Sequence, residues 1–190
     1  IEAAPSYNDE LVLETFAAKA EKYIEEVAKK GKPFFLYLPL TSPHLPHCTH
    51  PDFRGRSDCG NYGDFMIETD HRVGQVLDAL DAHGIAENTL VIFSSDNGAE
   101  TNYEYQRDTF GHYSSLHFKG GKRDIYEGGH RVPFLMRWPA VIEAGSSTNI
   151  PVCQTDYLAT IAAVLEVALP DQAAEDSYNL LPALRGEEYE

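Results

Sequence analysis

Three short segments of the sequence carry residue types that bind metal ions or anions. The first is VIFSSDNGAE, in which an apolar run ends at Asp96, Asn97 and Gly98. Carboxylate and amide oxygens are hard ligands that suit Ca²⁺ or Mg²⁺, and a glycine lets the backbone turn away sharply. An Asn-Gly turn, in which Asp96 caps the next element, explains the same letters. Spacing alone favours that turn, because a calcium site needs about six or more oxygen ligands.

The second segment is TSPHLPH at positions 41–47, which places His44 and His47 in a loop stiffened by Pro43 and Pro46. Prolines restrict the backbone and so help to hold an imidazole in one pose. A histidine in such a loop can hydrogen-bond an anionic oxygen or donate a proton. A surface loop with incidental histidines is an equally good interpretation of this segment by itself. His50 continues the cluster as its weakest candidate.

The third segment, FKGGKRDIYEGGHRVP at positions 118–133, combines glycines with cations. Glycines allow the backbone to approach a ligand closely, and a lysine among them supplies a point charge for a sulfate or phosphate oxygen. The segment is not a Walker motif, because GxxxxGK[ST] is absent. A flexible loop with solvated charges is the alternative. Its charged residues are Lys119, Lys122, Arg123 and Arg131 against Asp124 and Glu127.

Composition and charge narrow the class of protein. The chain has 190 residues and a formal net charge of −15, which argues against nucleic acid or an anionic membrane as the main partner. No apolar run reaches the ~18 residues of a membrane span. The cysteines at 48, 59 and 153 form no CxxC and predict no disulfide framework. Pairing of Cys48 with Cys59 across a short loop stays open.

Hydrophobic periodicity predicts the elements that position these segments. Helices alternate with short apolar strands, which indicates an α/β layer fold with a mostly parallel sheet. The aperiodic segments 39–61 and 97–131 both follow strands, where open α/β sheets place ligands. The predicted strands are a buried strand at 33–38 and strands at 90–94 and 133–138. The first predicted helix spans 8–30, with one face formed by Val12, Phe16, Ala20, Tyr23 and Val27. A second helix is marked by Phe65, Thr69, Val73, Val76, Leu77 and Leu80, and a last helix, capped by Thr155, is expected to bury Leu158, Ile161, Ala162 and Leu165.

The three segments in this order resemble the sulfatase family of the alkaline-phosphatase-like superfold. The matching stretches are PFFLYLPLTSPHLPH, TLVIFSSDNG and GGKRDIYEGGHRVPFLMRWP, and the tail EDSYNLLPALRG fits as well. The resemblance is strongest to arylsulfatase A-like and N-acetylgalactosamine-6-sulfatase-like enzymes. It implies a three-layer α/β sandwich with a mostly parallel sheet, of which this chain is an incomplete part.

The resemblance also implies residue roles. Asp96 and Asn97 match the calcium ligands of the family, and His44 and Lys122 match residues that bind the sulfate and assist catalysis. His47 has no firm counterpart and is a candidate substrate contact. The implied substrates are sulfated sugars or aryl sulfates. Nucleic acid is not an expected partner, and the chain is not expected to span a membrane. Family habit suggests a periplasmic, secreted or lysosomal location.

The departures from the family pattern concern the nucleophile. The family uses a formylglycine made from a C/S-x-P/A-S-R motif, and no cysteine here lies in such a motif. The early Asp pair of the family's calcium site and its small C-terminal subdomain are also missing. We therefore expect residues 1–190 to be the second half of a sulfatase catalytic domain, in a chain that starts at Ile1 as a piece of something longer. Alone, it is expected to be inactive.

Two other functions fit the same residues. A phosphodiesterase or phosphonate hydrolase of the same superfold would use transition metals, for which His112 and His117 are the available ligands. A non-catalytic remnant that binds sulfated glycans would need the cationic segment but no nucleophile.

Overall fold

The computed structural model describes residues 7–100 and 102–189, which form two compact units. The first contains the described residues up to Ala86 together with Val91–Met136. The second contains Glu87–Leu90 and the described residues from Arg137 onward. Within the described part of the chain, no helix is both long enough and apolar enough to cross a membrane.

Helix α1 of the first unit, Val12–Lys30, confirms the helix predicted at 8–30. A 3-10 turn at Asp9–Leu11 precedes it, and the Asn8 side chain accepts a hydrogen bond from the Glu10 N–H, as an N-cap does. Gly31 ends the helix with a left-handed φ of 58°. The buried stripe is rotated slightly from the predicted face, so Val12, Phe16 and Tyr23 are only half-buried. Its members are Leu13, Ala17, Ala20, Ile24 and Val27.

Helix α2, Gly60–Ala82, packs against α1 and confirms the second predicted helix. Phe65, Thr69 and Leu80 are buried as expected, whereas the other predicted apolar positions are half-buried. The helix also buries a row of charged side chains: Asp64, Glu68 and Arg72.

The buried charges of α2 hold the aperiodic segment that precedes the helix. Glu68 is fully buried, accepts a hydrogen bond from the His50 N–H at 2.8 Å and lies 3.4 Å from the Arg72 guanidinium. Phe53, in a 3-10 turn at Pro51–Phe53, lies under the Arg72 guanidinium. Segment 39–61, for which the sequence predicted no regular element, is therefore held in place by the charged residues on one face of α2. The spacing of apolar residues alone does not reveal such a face.

The strand predicted at 33–38 is wrong. No strand is formed there, and Phe35 and Tyr37 are 74% and 76% exposed. Alternate residues such as Phe34, whose ring lies 6.1 Å from that of Tyr23, are half-buried. The apolar run has the period of a strand, but within 7–100 and 102–189 it pairs with no other strand. Strand status depends on a neighbour, which the sequence pattern does not supply.

The described part of the chain contains one two-stranded sheet, of β1 (Val91–Ser94) and β2 (Phe134–Arg137). Both predicted strands are confirmed in position, although β1 is half-buried rather than buried. The segment 97–131, predicted without elements, contains the short helices α3 (Tyr103–Phe110) and α4 (Glu127–His130). These helices are too short to produce a clear period in the sequence.

The second unit is organised by α5 (Asp156–Val164) and α6 (Leu181–Leu184). The predicted buried face of α5 is largely wrong, because Leu158 and Leu165 are 51% and 60% exposed and only Ala162 is buried. Asp156 and Thr160 are buried instead. Asp156 accepts hydrogen bonds from the N–H groups of Cys153 and Tyr178, and the Thr160 hydroxyl accepts one from Leu180. The three cysteines are free.

Asp64 gives the first testable prediction. Burial alone would raise the pKa of its carboxyl, but hydrogen bonds from the backbone N–H groups of Gly55, Ser57 and Arg56 outweigh burial and lower that pKa. A lowered carboxyl pKa stabilises the fold above the unfolded value of about 3.9, and the stabilisation is lost as pH falls below it.

We expect Asp64→Asn to lower the unfolding free energy at pH 7 by about 1.5–3 kcal/mol and to flatten its decline below pH 4, as measured by urea unfolding. Asp78→Asn, at an exposed position of α2, is the matched control and should change stability little. Equal effects of the two substitutions would contradict this role of Asp64.

Candidate functional site

The DNG turn after β1 packs directly against the glycine-rich segment. The Gly98 N–H donates to the Gly129 carbonyl at 2.9 Å, and the Lys122 N–H donates to the Ala99 carbonyl at 2.6 Å. A Cβ on Gly98 would lie 1.9 Å from the Gly128 carbonyl oxygen. The contact therefore requires glycine at position 98 for space, since no side chain fits between the two backbones.

The glycine-rich segment also folds tightly on itself. A Cβ on Gly128 would lie 2.2 Å from the Gly120 carbonyl oxygen, and one on Gly129 would lie 2.2 Å from the Asp124 carbonyl oxygen. The flexible loop that the sequence left open is instead a closely packed backbone. Its glycines permit close contact between backbone segments of the protein, and this contact fixes the backbone position of Lys122.

Lys122 lies in a tight turn that aims it at Glu100. The Asp124 N–H donates to the Gly121 carbonyl at 2.9 Å, and the Asp124 carboxylate accepts from the Gly121 N–H at 2.9 Å. The Lys122 Nζ lies 3.3 Å from Glu100 Oε2, with both side chains mostly buried. This pair is better shielded from solvent than a surface salt bridge.

His44 approaches the same carboxylate oxygen. Its Nε2 lies 3.8 Å from Glu100 Oε2, and its Nδ1 lies 2.6 Å from the Leu45 carbonyl. Because a carbonyl only accepts, Nδ1 carries a proton in this contact. The His44 side chain is 61% exposed, so the imidazole is open to a ligand. His44 and Lys122, which are 78 residues apart in sequence, therefore converge on one anionic oxygen.

His47 lies among aromatic rings. Its ring centroid is 5.5 Å from that of Tyr62 and 6.2 Å from that of Phe65. Burial lowers its pKa, and the nearby His44 lowers it further against a hydrogen bond with the Pro43 backbone. His47 is therefore held as the neutral imidazole near pH 7, and its stabilising contribution is lost as pH falls below about 6.5. Its role as a substrate contact stays a prediction.

Asp96 and Asn97 follow β1 as predicted. Asp96 is exposed and Asn97 is half-buried. The Asn97 amide nitrogen donates to the Gly98 carbonyl at 2.8 Å, which orients the amide group. A carboxylate and an amide oxygen side by side fit a hard cation such as Ca²⁺. Their role as calcium ligands stays a prediction, and residues 7–100 and 102–189 contain no cluster of three or more His, Cys, Asp or Glu able to hold a metal.

The two histidines considered for a transition-metal site, His112 and His117, lie against different aromatic rings. The His112 ring lies 5.5 Å from that of Tyr62, and the His117 ring lies 4.3 Å from that of Phe118. Each of them packs on an aromatic neighbour.

Sequence reasoning missed Glu100 and gave Arg123 no individual role. The Arg123 Nη1 lies 2.9 Å from Glu100 Oε1, so three cationic or titratable side chains surround this one carboxylate. The only available signal was the acid two residues after the DNG letters, close to a segment rich in cations.

The Gly98 contact gives the second testable prediction. Gly98→Ala should destabilise the protein by about 1–3 kcal/mol, because the methyl group forces two backbones apart. The control is Gly74→Ala in the interior of α2, where a Cβ meets nothing within 4 Å; it should stabilise by about 0.5–1 kcal/mol. Thermal unfolding of both variants measures the difference. If Gly98→Ala unfolds no earlier than wild type, the close approach is not a constraint.

Comparison with known proteins assigns most of this sequence to one family. The family model described as Sulfatase matches residues 5–167. An N-acetylgalactosamine-6-O-sulfatase of Bacteroides thetaiotaomicron is 36% identical over 187 residues, covering 96% of this chain and 36% of that protein. A steryl-sulfatase of Mus musculus is 40% identical over 158 residues, covering 83% of this chain and 25% of that protein. The chain thus spans about a third or less of these relatives.

A solved structure from work on the metabolism of multiple glycosaminoglycans by Bacteroides thetaiotaomicron superposes with a TM-score of 0.84. It is 33% identical in sequence, and the match covers 96% of this chain and 38% of that one. The structural neighbours are sulfatases with the alkaline-phosphatase-like fold. The chain belongs to the sulfatase family.

Proposed function

We propose that this chain is the second half of the catalytic domain of a sulfuric ester hydrolase and acts as part of a longer protein. The observation that carries the proposal is the convergence of His44 Nε2 and Lys122 Nζ on one carboxylate oxygen of Glu100. A carboxylate oxygen is an anionic acceptor, like an oxygen of a sulfate ester. Two side chains that meet on the first can bind the second with little rearrangement.

The proposed chemistry of the two side chains follows from their atoms. Hydrolysis breaks the bond between sulfur and the ester oxygen, and negative charge grows on the departing oxygen. Lys122 balances charge on the sulfate oxygens as it shifts in the transition state. His44, whose Nδ1–H faces the Leu45 carbonyl, hydrogen-bonds the sulfate or protonates the leaving oxygen from Nε2 as the imidazolium, in which both ring nitrogens carry a proton. The nucleophile is expected in the longer protein, as a formylglycine by family resemblance.

Asp96 and Asn97 are proposed to supply two ligands of a Ca²⁺ ion. A bound Ca²⁺ would neutralise part of the sulfate charge. Their position after β1, beside the backbone that carries Lys122, supports this role. The remaining ligands are expected from the longer protein.

We further propose that the two-stranded sheet is part of a larger, mostly parallel sheet in a three-layer sandwich. The aromatic side chains of Phe35 and Tyr37 are 74% and 76% exposed, and a further layer of the longer protein would cover them. The TM-score of 0.84 to a much longer solved chain agrees with this arrangement.

Sulfated carbohydrates are the proposed substrates, since the Bacteroides relative is named for one. Other relatives are named steryl-sulfatase and arylsulfatase H, so aryl sulfates are a reasonable test substrate. A periplasmic, secreted or lysosomal location is proposed from family habit.

Lys122 provides the central activity prediction. In the complete enzyme, Lys122→Ala should lower kcat/KM for a sulfate ester by about a hundredfold or more, because loss of one charge-stabilising donor costs roughly 2.7–4 kcal/mol. Lys119→Ala is the matched control, since the Lys119 Nζ lies over the Tyr126 ring at 3.8 Å rather than beside the Glu100 carboxylate. This variant should change kcat/KM by less than about threefold. Near-wild-type turnover of Lys122→Ala would remove Lys122 from catalysis.

Asp96 provides a prediction that does not depend on turnover. Calorimetric titration of the complete protein should show Ca²⁺ binding that Asp96→Ala weakens by at least about tenfold, as expected for loss of a charged ligand. Asp78→Ala, at an exposed site on α2, should bind Ca²⁺ like wild type. Unchanged affinity in Asp96→Ala would show that Asp96 is not a ligand.

A further inference from the structure

We propose that Arg123 is a specificity-determining residue that binds a second anionic group on the substrate, and that Glu100 positions it. This inference rests on the proposed function, since it assigns a substrate class to the same site. The chemical class is a sulfated sugar that carries one more oxyanion, either a carboxylate or a second sulfate. The observations are the backbone conformation of Arg123, its contact with Glu100 and its exposure.

The backbone at Arg123 is unusual for a residue with a side chain. Arg123 has a φ of 78°, in the left-handed region that favours glycine. The Asp124 N–H closes the turn onto the Gly121 carbonyl, and Lys122 is not among the positive-φ residues. Arg123 therefore occupies the third position of a type II turn, where glycine is the preferred residue. An arginine there is strained, and local strain of this kind is typical of functional sites.

Stability does not account for the arginine. Its contact with Glu100 Oε1 is 2.9 Å, but the Arg123 side chain is 65% exposed, and exposed ion pairs contribute little to folding. What the turn and the contact do achieve is position. Lys122 approaches Oε2 of the same carboxylate while Arg123 approaches Oε1, so the ammonium and the guanidinium lie side by side.

The chemistry of the guanidinium identifies the ligand class. It carries five N–H donors in a planar fork that fits two-oxygen edges of carboxylates and sulfates, and one contact with Glu100 leaves capacity for such an edge. Lys122 and His44 already account for the reacting sulfate. The chain has a net charge of −15, so a substrate with two negative charges needs a local cation beyond those two.

The test compares substrates with one and two oxyanions. The complete enzyme and its Arg123→Gly variant are assayed on 4-nitrophenyl sulfate, on a monosulfated disaccharide containing a uronate, and on a disulfated disaccharide without one. For at least one disaccharide, the ratio of its kcat/KM to that of 4-nitrophenyl sulfate should fall about tenfold in the variant. The disaccharide that responds tells whether the second oxyanion is a carboxylate or a sulfate.

Two further measurements separate binding from folding. Arg123→Gly relieves the strained φ, so its Tm should stay level or rise by about 1–3 °C. Arg123→Lys keeps the positive charge but loses the planar guanidinium. Its ratio of disaccharide kcat/KM to that of 4-nitrophenyl sulfate should therefore lie between the ratios of Arg123→Gly and wild type. Unchanged ratios for both disaccharides, or a lower Tm with equal loss on all three substrates, would overturn the proposal.

Failure of the proposed function gives a different result. If the complete wild-type protein hydrolyses none of the three esters, hydrolysis fails as the function while the role of Arg123 is still decided by binding. Calorimetry should then show that Arg123→Gly binds at least one of the two disaccharides about tenfold more weakly than wild type does. If wild type and variant bind each disaccharide with equal affinity, the proposed role of Arg123 is overturned.

Discussion

The close approach of two backbones, the DNG turn after β1 and the glycine-rich segment, is the constraint on which the rest of the site depends. A Cβ at Gly98 would overlap the Gly128 carbonyl oxygen, so the two segments can approach this closely only because position 98 is a glycine. The hydrogen bond from the Lys122 N–H to the Ala99 carbonyl then fixes the start of the lysine side chain. The candidate metal ligands and the candidate anion-binding lysine are thereby placed on neighbouring stretches of backbone.

Buried carboxylates provide the second theme of the structure. Asp64 gathers three backbone N–H groups of the segment before α2, and Asp156 gathers two in the second unit. In both units a helix supplies the acid and an aperiodic segment supplies the donors. Ionic acceptors bind such donors more strongly than neutral ones, which explains how long loops are fixed without their own secondary structure.

The sequence predicted the features that depend on local pattern. Both long helices and both strands of the sheet lie where periodicity placed them, because periodicity reports local burial. The strand at 33–38 and the buried face of α5 were wrong, since each depends on which neighbours cover it. Resemblance to the family, rather than spacing, selected His44 and Lys122. Glu100 was missed because its partners are distant in sequence.

The function proposed for this site requires that His44 and Lys122 together bind the sulfate of the substrate. A crystal structure of the complete protein soaked with a sulfated sugar would test this binding. We expect one sulfate group within hydrogen-bond distance of both Lys122 Nζ and the His44 imidazole, with the Glu100 carboxylate beside it. A sulfate bound elsewhere, with both side chains unmoved from Glu100, would contradict the joint role of His44 and Lys122.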